Sequence, residues 1–360
     1  MNALSSGKKP RIFYLDLVRA LAIILIILVH VLRKFCEFST VSSANWNFSS
    51  PLMSLAIMGV PLFLMISGTL LLDRDYELGD FLKRRFTRIL IPFFFWGLLL
   101  PIHKMIWLAE PWTFHNYMVL FIKEEYWYVW MLIGVYLAIP IINTFIQKYK
   151  MKGVEYFLVV WIFIMILTTL GYYPFYQLKI EYFGGYLGFL LLGYWVSNKK
   201  FSMSDKKLML IGSLICIACI ILQVNRIVTF SPVTGKITYF GYLTIVTAIQ
   251  SAGLYMAFKY FCSYCESNMH SFSNKVYSLL KETFIYKIIF SLSICSYGMY
   301  LTHYFWLYIL TGLSNNGIPI FQQSAKIFLP IVLVFICFMA WLVPWIFSKI
   351  PYLKEVSGAH

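Results

Sequence analysis

Apolar runs of about 20 residues, separated by short polar breaks, recur along this chain. About 20 residues of α-helix cross the hydrocarbon core of a bilayer, so runs of this kind are long enough to span a membrane. The runs lie near residues 15–35, 53–72, 89–109, 127–147, 154–171, 183–197, 208–225, 238–262, 288–311 and 326–348. Hydrophobic residues make up 60% of the chain and charged residues only 12%, which excludes an ordinary soluble domain. The pattern predicts an all-α, polytopic integral membrane protein with about ten transmembrane helices.

The distribution of Lys and Arg predicts the orientation of these helices. If the N-terminus is cytosolic, 21 of the 30 Lys and Arg residues fall on the inner side, 8 fall at outer ends and Arg19 falls within a span. Cytosolic loops of membrane proteins carry such an excess of positive charge. We therefore expect both termini in the cytosol and a single membrane-embedded domain over 1–360, with short cytosolic tails at 1–12 and 350–360. Contact of this inner face with anionic lipid accounts for the net charge of +15 without nucleic acid.

The first span carries three polar residues that a lipid-facing helix would avoid, namely Asp16, Arg19 and His30. A charged side chain at the bilayer centre costs roughly 2.5–3.5 kcal/mol on insertion scales, so such residues rarely lack a function. On an α-helix, Arg19 and His30 lie within about 20° of each other, and Asp16 lies about 60° from Arg19. The helical rise places His30 about 16 Å further along the same face. The spacing predicts a polar track through the apolar layer.

His30 lies deep in this span, and two interpretations are open for it. Burial favours a neutral imidazole, which can accept a proton from a hydroxyl and act as a general base. The alternative is a structural histidine that is hydrogen-bonded to a neighbouring helix. Asp16 and Arg19 are three residues apart, so they either neutralise each other at the inner interface or leave Arg19 available for an anion.

A cluster of basic residues, Lys83-Arg84-Arg85-Phe-Thr-Arg88, precedes the third span. Guanidinium groups bind phosphate through two parallel hydrogen bonds, so Arg85 and Arg88, one helical turn apart, are suited to dock a nucleotide phosphate. The competing interpretation is ordinary anchoring of the inner face by positive charge.

A carboxylate and several aromatic residues open the fourth span at the predicted outer surface, in the sequence Glu125-Tyr-Trp127-Tyr128. An aromatic belt at the membrane interface explains most of this pattern. Aromatic faces beside a carboxylate are also suited to a sugar ring, which leaves an acceptor site as the second interpretation. His303 lies within the ninth span, where we expect it to pack or to support the site rather than to act as the base.

Taken together, these segments resemble the acyltransferase-3 family of bacterial integral membrane proteins, and the resemblance extends over almost the entire chain. The most specific element is the Arg-x10-His signature, matched by Arg19 and His30 and preceded by Tyr14-Leu-Asp-x-x-Arg19. The other matches are Val60-Pro-Leu-Phe-x-x-Ile-Ser-Gly68, the pair Arg85 and Arg88, Trp127-Tyr128 followed by Tyr136 and Pro140, and Ser296-x-Gly298-x-Tyr300-Leu-x-His303.

The resemblance implies transfer of an acyl group from cytosolic acyl-CoA, usually acetyl-CoA, to a hydroxyl of a cell-surface or lipid-linked glycan at the outer face. The chain resembles stand-alone members, without the SGNH-type extracellular domain of two-part members, and would complete the transfer itself or hand the acyl group to a partner. The implied location is the bacterial cytoplasmic membrane, and the expected partners are acyl-CoA, a glycan or glycolipid acceptor and membrane lipids. The alternative is a polysaccharide exporter or flippase of the same family, although the hydropathy pattern shows no internal inverted repeat.

The expected roles follow from the resemblance and from the positions of the residues. The predicted catalytic residues are His30, Arg19 and Asp16. The predicted coenzyme-binding residues are Arg84, Arg85, Arg88 and Arg19. The predicted acceptor-binding residues are Glu125, Trp127, Tyr128 and His303. We expect no metal, because the seven cysteines lie in or near apolar runs without an accompanying His cluster, and the acceptor, the acyl length and the oligomeric state stay open.

Overall fold

The computed structural model describes residues 11–123, 125–170, 184–267 and 272–359. Within these ranges every regular element is a helix and no strand is present. The helices are α1 (Phe13–Glu37), α2 (Ala44–Ala56), α3 (Gly59–Leu71), α4 (Leu78–Leu108), α5 (Phe114–Lys123), α6 (Trp127–Leu170), α7 (Leu187–Asn198), α8 (Asp205–Thr234), α9 (Ile245–Ser267), α10 (Phe272–Glu282), α11 (Phe284–Asn315) and α12 (Ala325–Lys349). The all-α prediction is confirmed.

Seven helical segments of the described chain are long and apolar enough to cross a membrane: α1, the α2 and α3 pair, α4, α6, α8, α11 and α12. The shorter apolar helix α7 adds 12 residues, and the start of the predicted span 183–197 lies outside the described residues. Helix α6 is 44 residues long, and Lys150, at φ 53° and ψ −147°, marks a kink between two helices. The multi-span class is therefore confirmed, whereas the count of ten and the cytosolic position of both termini stay predictions.

The predicted second span, 53–72, consists of two helices rather than one. Helix α2 ends at Ala56 and helix α3 begins at Gly59. Pro61 has no N–H and cannot donate to the carbonyl of Ile57, so the helical hydrogen-bond ladder breaks at this point.

Helix α1 lies at the centre of the fold and packs against α2, α3, α9, α11 and α12. Most of its length is buried, and Val18, Ala22 and Ile27 are fully enclosed. Helix α3 comes close because position 59 is glycine, where a Cβ would lie 2.7 Å from Ile26 Cγ1. Small residues at such crossings let helix backbones approach each other in membrane proteins. The polar residues of the first span are thus surrounded by other helices.

The loop between α3 and α4, residues 72–77, is fastened to α6. Asn143 Oδ1 accepts a hydrogen bond from the Asp73 N–H at 2.6 Å, and Asn143 Nδ2 donates to the carbonyl of Arg74. The side chain of Glu77 then caps α4 by accepting hydrogen bonds from backbone N–H groups of its first turn. These contacts fix the start of α4, which carries the basic cluster.

Candidate active site

Two of the cavities beside α1 contain most of the predicted site residues, and we call them the inner and the outer chamber. The inner chamber, around Arg19, Arg85 and Arg88, has a volume of about 330 Å³. The outer chamber, around His30 and Glu125, has a volume of about 620 Å³. These names follow the predicted orientation, with the basic start of α4 on the cytosolic side. The predicted polar track of the first span therefore has a cavity at each end.

The charged side chains among the described residues that line the inner chamber are all positive. Arg19 of α1 and Arg85 and Arg88 of α4 form part of its wall, and no acidic side chain of the described residues does. None of the three arginines forms an ion pair with a described acidic side chain. Guanidinium groups bind phosphate oxygens bidentately, so this wall can hold a ligand with several negative charges.

Arg84, the third predicted phosphate ligand, lies outside this wall. Its side chain is exposed, and Nη2 lies 2.7 Å from Asp80 Oδ2, one helical turn earlier. Successive residues of a helix are rotated by about 100° around its axis. Arg84 therefore faces a different direction from Arg85, which lines the chamber. The structure thus brings together three of the four predicted coenzyme-binding arginines.

Asp16 lines neither chamber. Its buried carboxylate accepts hydrogen bonds from Arg11 Nε at 2.9 Å, from Arg11 Nη2 at 3.0 Å and from Ser293 Oγ at 2.6 Å. The bond from Ser293 attaches the start of α1 to α11. Because Arg11 and Ser293 take up the carboxylate, the geometry favours the interpretation in which Arg19 is available for an anion.

His30 lies where the outer chamber narrows. The phenol oxygen of Tyr304 lies 2.9 Å from His30 Nδ1 and 3.4 Å from Nε2. The centroids of the two rings are 4.7 Å apart. The hydroxyl lies closer to Nδ1, and its contact helps to fix the orientation of the imidazole. This arrangement suits a general base.

His303 packs behind His30 rather than in the chamber wall. It is fully buried, its ring centroid is 5.1 Å from that of His30, and it lines neither chamber. Its Nδ1 lies 2.6 Å from the carbonyl oxygen of Tyr300, so Nδ1 carries the proton and donates it. Its Nε2 has no hydrogen-bond partner among the described residues. The structure therefore places His303 behind His30 and outside the walls of both chambers.

Glu125 is the centre of a buried polar cluster in the wall of the outer chamber. Its Oε1 lies 2.8 Å from Lys104 Nζ and also accepts a hydrogen bond from the Tyr308 hydroxyl. The side chains of Lys104 and Glu125 are only 12% and 5% exposed, so the two charges interact with little screening. Glu125 Oε2 has no partner among the described residues. That oxygen can accept a hydrogen bond from a hydroxyl of a ligand.

Trp127 and Tyr128 are adjacent in sequence but serve different cavities. Trp127 lines the outer chamber, and its ring centroid lies 5.8 Å from that of Tyr186 and 5.5 Å from that of Tyr242. Tyr128 lines the inner chamber instead. The predicted acceptor contact therefore suits Trp127, whereas Tyr128 lies on the side of the arginines.

A narrow gap, with a volume of about 10 Å³, lies between the two chambers. The residues it shares with the inner chamber are Ile26, Tyr128 and Tyr300. The residues it shares with the outer chamber are His30, Glu125 and Trp127. A volume of this size holds about one water-sized group. The gap thus adjoins both chambers through shared wall residues.

Sequence reasoning missed two tyrosines of the site. Tyr304 contacts the imidazole of His30, and Tyr308 contacts the carboxylate of Glu125. Both follow Tyr300 at four-residue intervals on α11, so the three rings form one stripe of the helix. That periodicity is visible in the sequence and could have identified them.

Sequence reasoning also missed the C-terminal segment, which folds back against the bundle. Ser357 is fully buried and Gly358 lines the inner chamber. Trp96 Nε1 of α4 donates a hydrogen bond to the carbonyl of Val356 at 2.8 Å. Gly358 has φ 67°, and a Cβ there would lie 2.9 Å from the backbone of Gly298. The glycine at 298 thus gives the returning chain room to close the inner chamber.

A family model described as an acyltransferase domain matches residues 12–349. The match includes every residue that lines the two chambers and the gap except Gly358. No curated protein and no solved structure matches the chain.

Proposed function

Because the chain belongs to the acyltransferase-3 family, we propose that it transfers an acetyl group from cytosolic acetyl-CoA to a hydroxyl of a cell-surface or lipid-linked glycan at the outer face of the bacterial cytoplasmic membrane. The family match supports an acyltransferase, and the apolar helices support its position in a membrane. The observation that carries the finer proposal is the pair of chambers, one with Arg19 and one with His30, that approach each other at the gap.

The coenzyme would occupy the inner chamber. Its phosphate groups suit the guanidinium groups of Arg85 and Arg88, which have no acidic partner among the described residues. Its pantetheine arm would extend past Arg19 along the face of α1 that leads to His30. The helical rise separates Arg19 from His30 by about 16 Å, which an extended arm can bridge. Only the acyl group then has to pass from one chamber to the other.

The reaction would take place beside His30. One imidazole nitrogen takes the proton of the acceptor hydroxyl while the hydroxyl oxygen attacks the carbonyl carbon of the thioester. The carbon–oxygen bond forms, the carbon–sulfur bond breaks, and the departing thiolate receives the proton from the imidazolium. The Tyr304 hydroxyl, 2.9 Å from His30 Nδ1, holds the ring in orientation during both proton transfers. The products are the O-acetylated glycan and the free coenzyme thiol.

The acceptor would bind in the outer chamber. The indole of Trp127 offers an apolar face for a sugar ring, and the buried Glu125 Oε2 offers a hydrogen-bond acceptor for a sugar hydroxyl. The acceptor would thus reach His30 from the side opposite to the coenzyme.

Export of a polysaccharide is the alternative function. The gap has room for about one water-sized group, whereas a sugar ring is several times larger. The geometry therefore supports group transfer across the gap better than passage of a glycan.

Membrane vesicles that contain the chain, supplied with acetyl-CoA labelled in the acetyl group, test the proposal. We expect label on a glycan fraction with the native chain and no label with His30→Ala at equal abundance. Unmodified glycan that crosses the vesicle membrane without acquiring label would contradict the proposal and favour export.

A further inference from the structure

We propose that the segment after α12, residues 350–359, is a strap that forms part of the coenzyme site, and that acetyl-CoA binds tightly only when the strap is seated against the bundle. The inference rests on the proposed function and adds a part of the chain to the inner chamber. The family match ends at residue 349, so the strap lies beyond it. Three observations carry the inference: the burial of the last residues of the strap, its contacts with α4 and α11, and its place in the chamber wall.

Burial divides the strap into two parts. Residues 350–355 are mostly exposed, and Tyr352 is 94% exposed. Residues 357–359 are buried, and Ser357 is fully enclosed. Segments that follow the last helix of a domain are usually poorly ordered unless contacts hold them. The bundle therefore holds the second part of the strap in place.

The strap contacts two helices that line the inner chamber. On one side, Trp96 Nε1 of α4 donates a hydrogen bond to the carbonyl of Val356 at 2.8 Å. On the other side, a Cβ at Gly298 of α11 would lie 2.3 Å from the carbonyl oxygen of Ser357. Only glycine at position 298 leaves room for this approach. The seated strap thus joins α4, which carries two arginines of the chamber, to α11.

The strap is also part of the chamber wall. Gly358 lines the inner chamber together with Arg19, Arg85 and Arg88. Its φ of 67° lies in the left-handed region, and a Cβ there would be 2.9 Å from the backbone of Gly298. Glycine is therefore needed both for the conformation and for the close approach. A ligand in this chamber can contact the backbone of the strap directly.

Seating of the strap and binding of the coenzyme should favour each other. The seated strap removes part of the chamber from water, and the attraction between guanidinium and phosphate groups is stronger where water is excluded. By linkage, a coenzyme that prefers the seated form stabilises that form by the same factor. Couplings of this kind typically change an affinity by about 5- to 150-fold.

The first test loosens the strap and measures binding of coenzyme A to the purified full chain by calorimetry. Gly358→Ala adds a Cβ that both the left-handed backbone and Gly298 oppose, so the dissociation constant should rise at least about fivefold. Gly235→Ala is the matched control, since Gly235 has φ 69° and its added Cβ would have no atom within 4 Å. It imposes a similar backbone strain and should keep the native affinity.

Trp96→Phe covers the case in which Gly358→Ala does not fold. It removes the hydrogen bond to Val356 and keeps an aromatic ring at a position that does not line the inner chamber. Trp341→Phe is its control, because it removes an indole hydrogen bond to Ser291 Oγ at 2.8 Å and none to the strap. We expect about two- to tenfold weaker binding of coenzyme A for Trp96→Phe only.

The second test measures seating itself. Ser357→Cys places a thiol at the enclosed position, and a water-soluble maleimide should label it at least about fivefold more slowly when coenzyme A is present. Tyr352→Cys, in the exposed part of the strap, should be labelled at the same rate with and without the coenzyme. The native chain, treated in parallel, gives the background from its seven cysteines.

Failure of the strap and failure of the proposed function give different results. Native affinity in both loosened variants, or labelling of Ser357→Cys that coenzyme A does not change, would overturn the role of the strap and leave acyl transfer intact. Absence of coenzyme A binding by the native chain would overturn the proposed function, and the role of the strap with it.

Discussion

The two chambers differ in how their charges are balanced. The inner chamber gathers three arginines, and no described acidic side chain shares its wall. Among the described residues, the outer chamber is lined by three cations and three carboxylates. Two pairs of them are joined, Lys34 with Glu37 at 2.7 Å and Lys104 with Glu125 at 2.8 Å. An unbalanced positive wall attracts a polyanion, whereas a balanced wall offers hydrogen bonds to an uncharged ligand.

This difference suggests how one bundle can join a charged donor to a neutral acceptor. The phosphates of a coenzyme would stay at the arginines, where their charge is compensated, and only the uncharged acyl group would enter the gap. Moving a charge into the centre of a bilayer is costly, so a design that moves only the acyl group avoids that cost. If binding and chemistry are divided between the chambers in this way, substitutions in the two chambers should affect different steps.

The largest effect is expected for His30→Ala. We expect acetyl transfer to fall by at least about 100-fold, since general base catalysis contributes that much or more. Binding of coenzyme A, measured by calorimetry on the purified protein, should change little, because His30 lines the outer chamber and the gap but not the inner chamber. His115→Ala, an exposed histidine on α5 outside both chambers, is the control. Near-normal transfer by His30→Ala would rule out His30 as the base.

A large loss of stability is expected for Lys104→Met. Removing one partner of a buried ion pair leaves the other charge uncompensated and typically costs about 3–5 kcal/mol. Lys34→Met is the comparison, because its partner Glu37 is 47% exposed and such pairs contribute at most about 1 kcal/mol. Thermal unfolding in detergent should show a clearly lower midpoint for Lys104→Met only. Equal midpoints would mean that the Glu125 cluster is not a stabilising element of the outer chamber.

The sequence predicted most reliably those features that depend on one helix alone. Apolar runs predict the all-α class because only a helix satisfies its own backbone hydrogen bonds in lipid. Arg19 and His30 lie on α1, and Arg85 and Arg88 lie on α4, so helical geometry alone relates each pair. The division of the predicted span 53–72 was also accessible in principle, because Pro61 removes a hydrogen bond there.

The sequence pattern could not predict contacts between distant segments of the chain. Asp16 is bonded to Ser293, which is 277 residues away, and this bond, together with the ion pair to Arg11, occupies the carboxylate. The contact of Tyr304 with His30 spans 274 residues. Gly358 reaches the inner chamber because the chain returns past Gly298. No local period encodes such pairings, since they depend on how the helices pack.

A moderate effect on coenzyme binding is expected for Arg88→Ala. Loss of one charged hydrogen-bond donor to a phosphate weakens binding by roughly tenfold. The concentration of acetyl-CoA that gives half-maximal transfer should therefore rise about tenfold, and the maximal rate should change little, because Arg88 is remote from the gap. Lys83→Ala removes an exposed cation from the same helix without altering the chamber wall, so it serves as control. Equal shifts in both variants would indicate a general effect of inner surface charge.

The smallest effect is expected for Tyr304→Phe, which keeps the ring and removes the hydroxyl that contacts His30. A typical hydrogen bond contributes about 0.5–1.5 kcal/mol, so transfer should fall about two- to tenfold with coenzyme binding unchanged. Tyr117→Phe removes a hydroxyl that donates to the carbonyl of Leu98 at 2.9 Å, away from both chambers, and should leave transfer at the native rate. If Tyr304→Phe also transfers at the native rate, orientation of the imidazole does not depend on α11. Helix α1 and the ring of His303, which packs behind His30, would then determine the orientation of the imidazole.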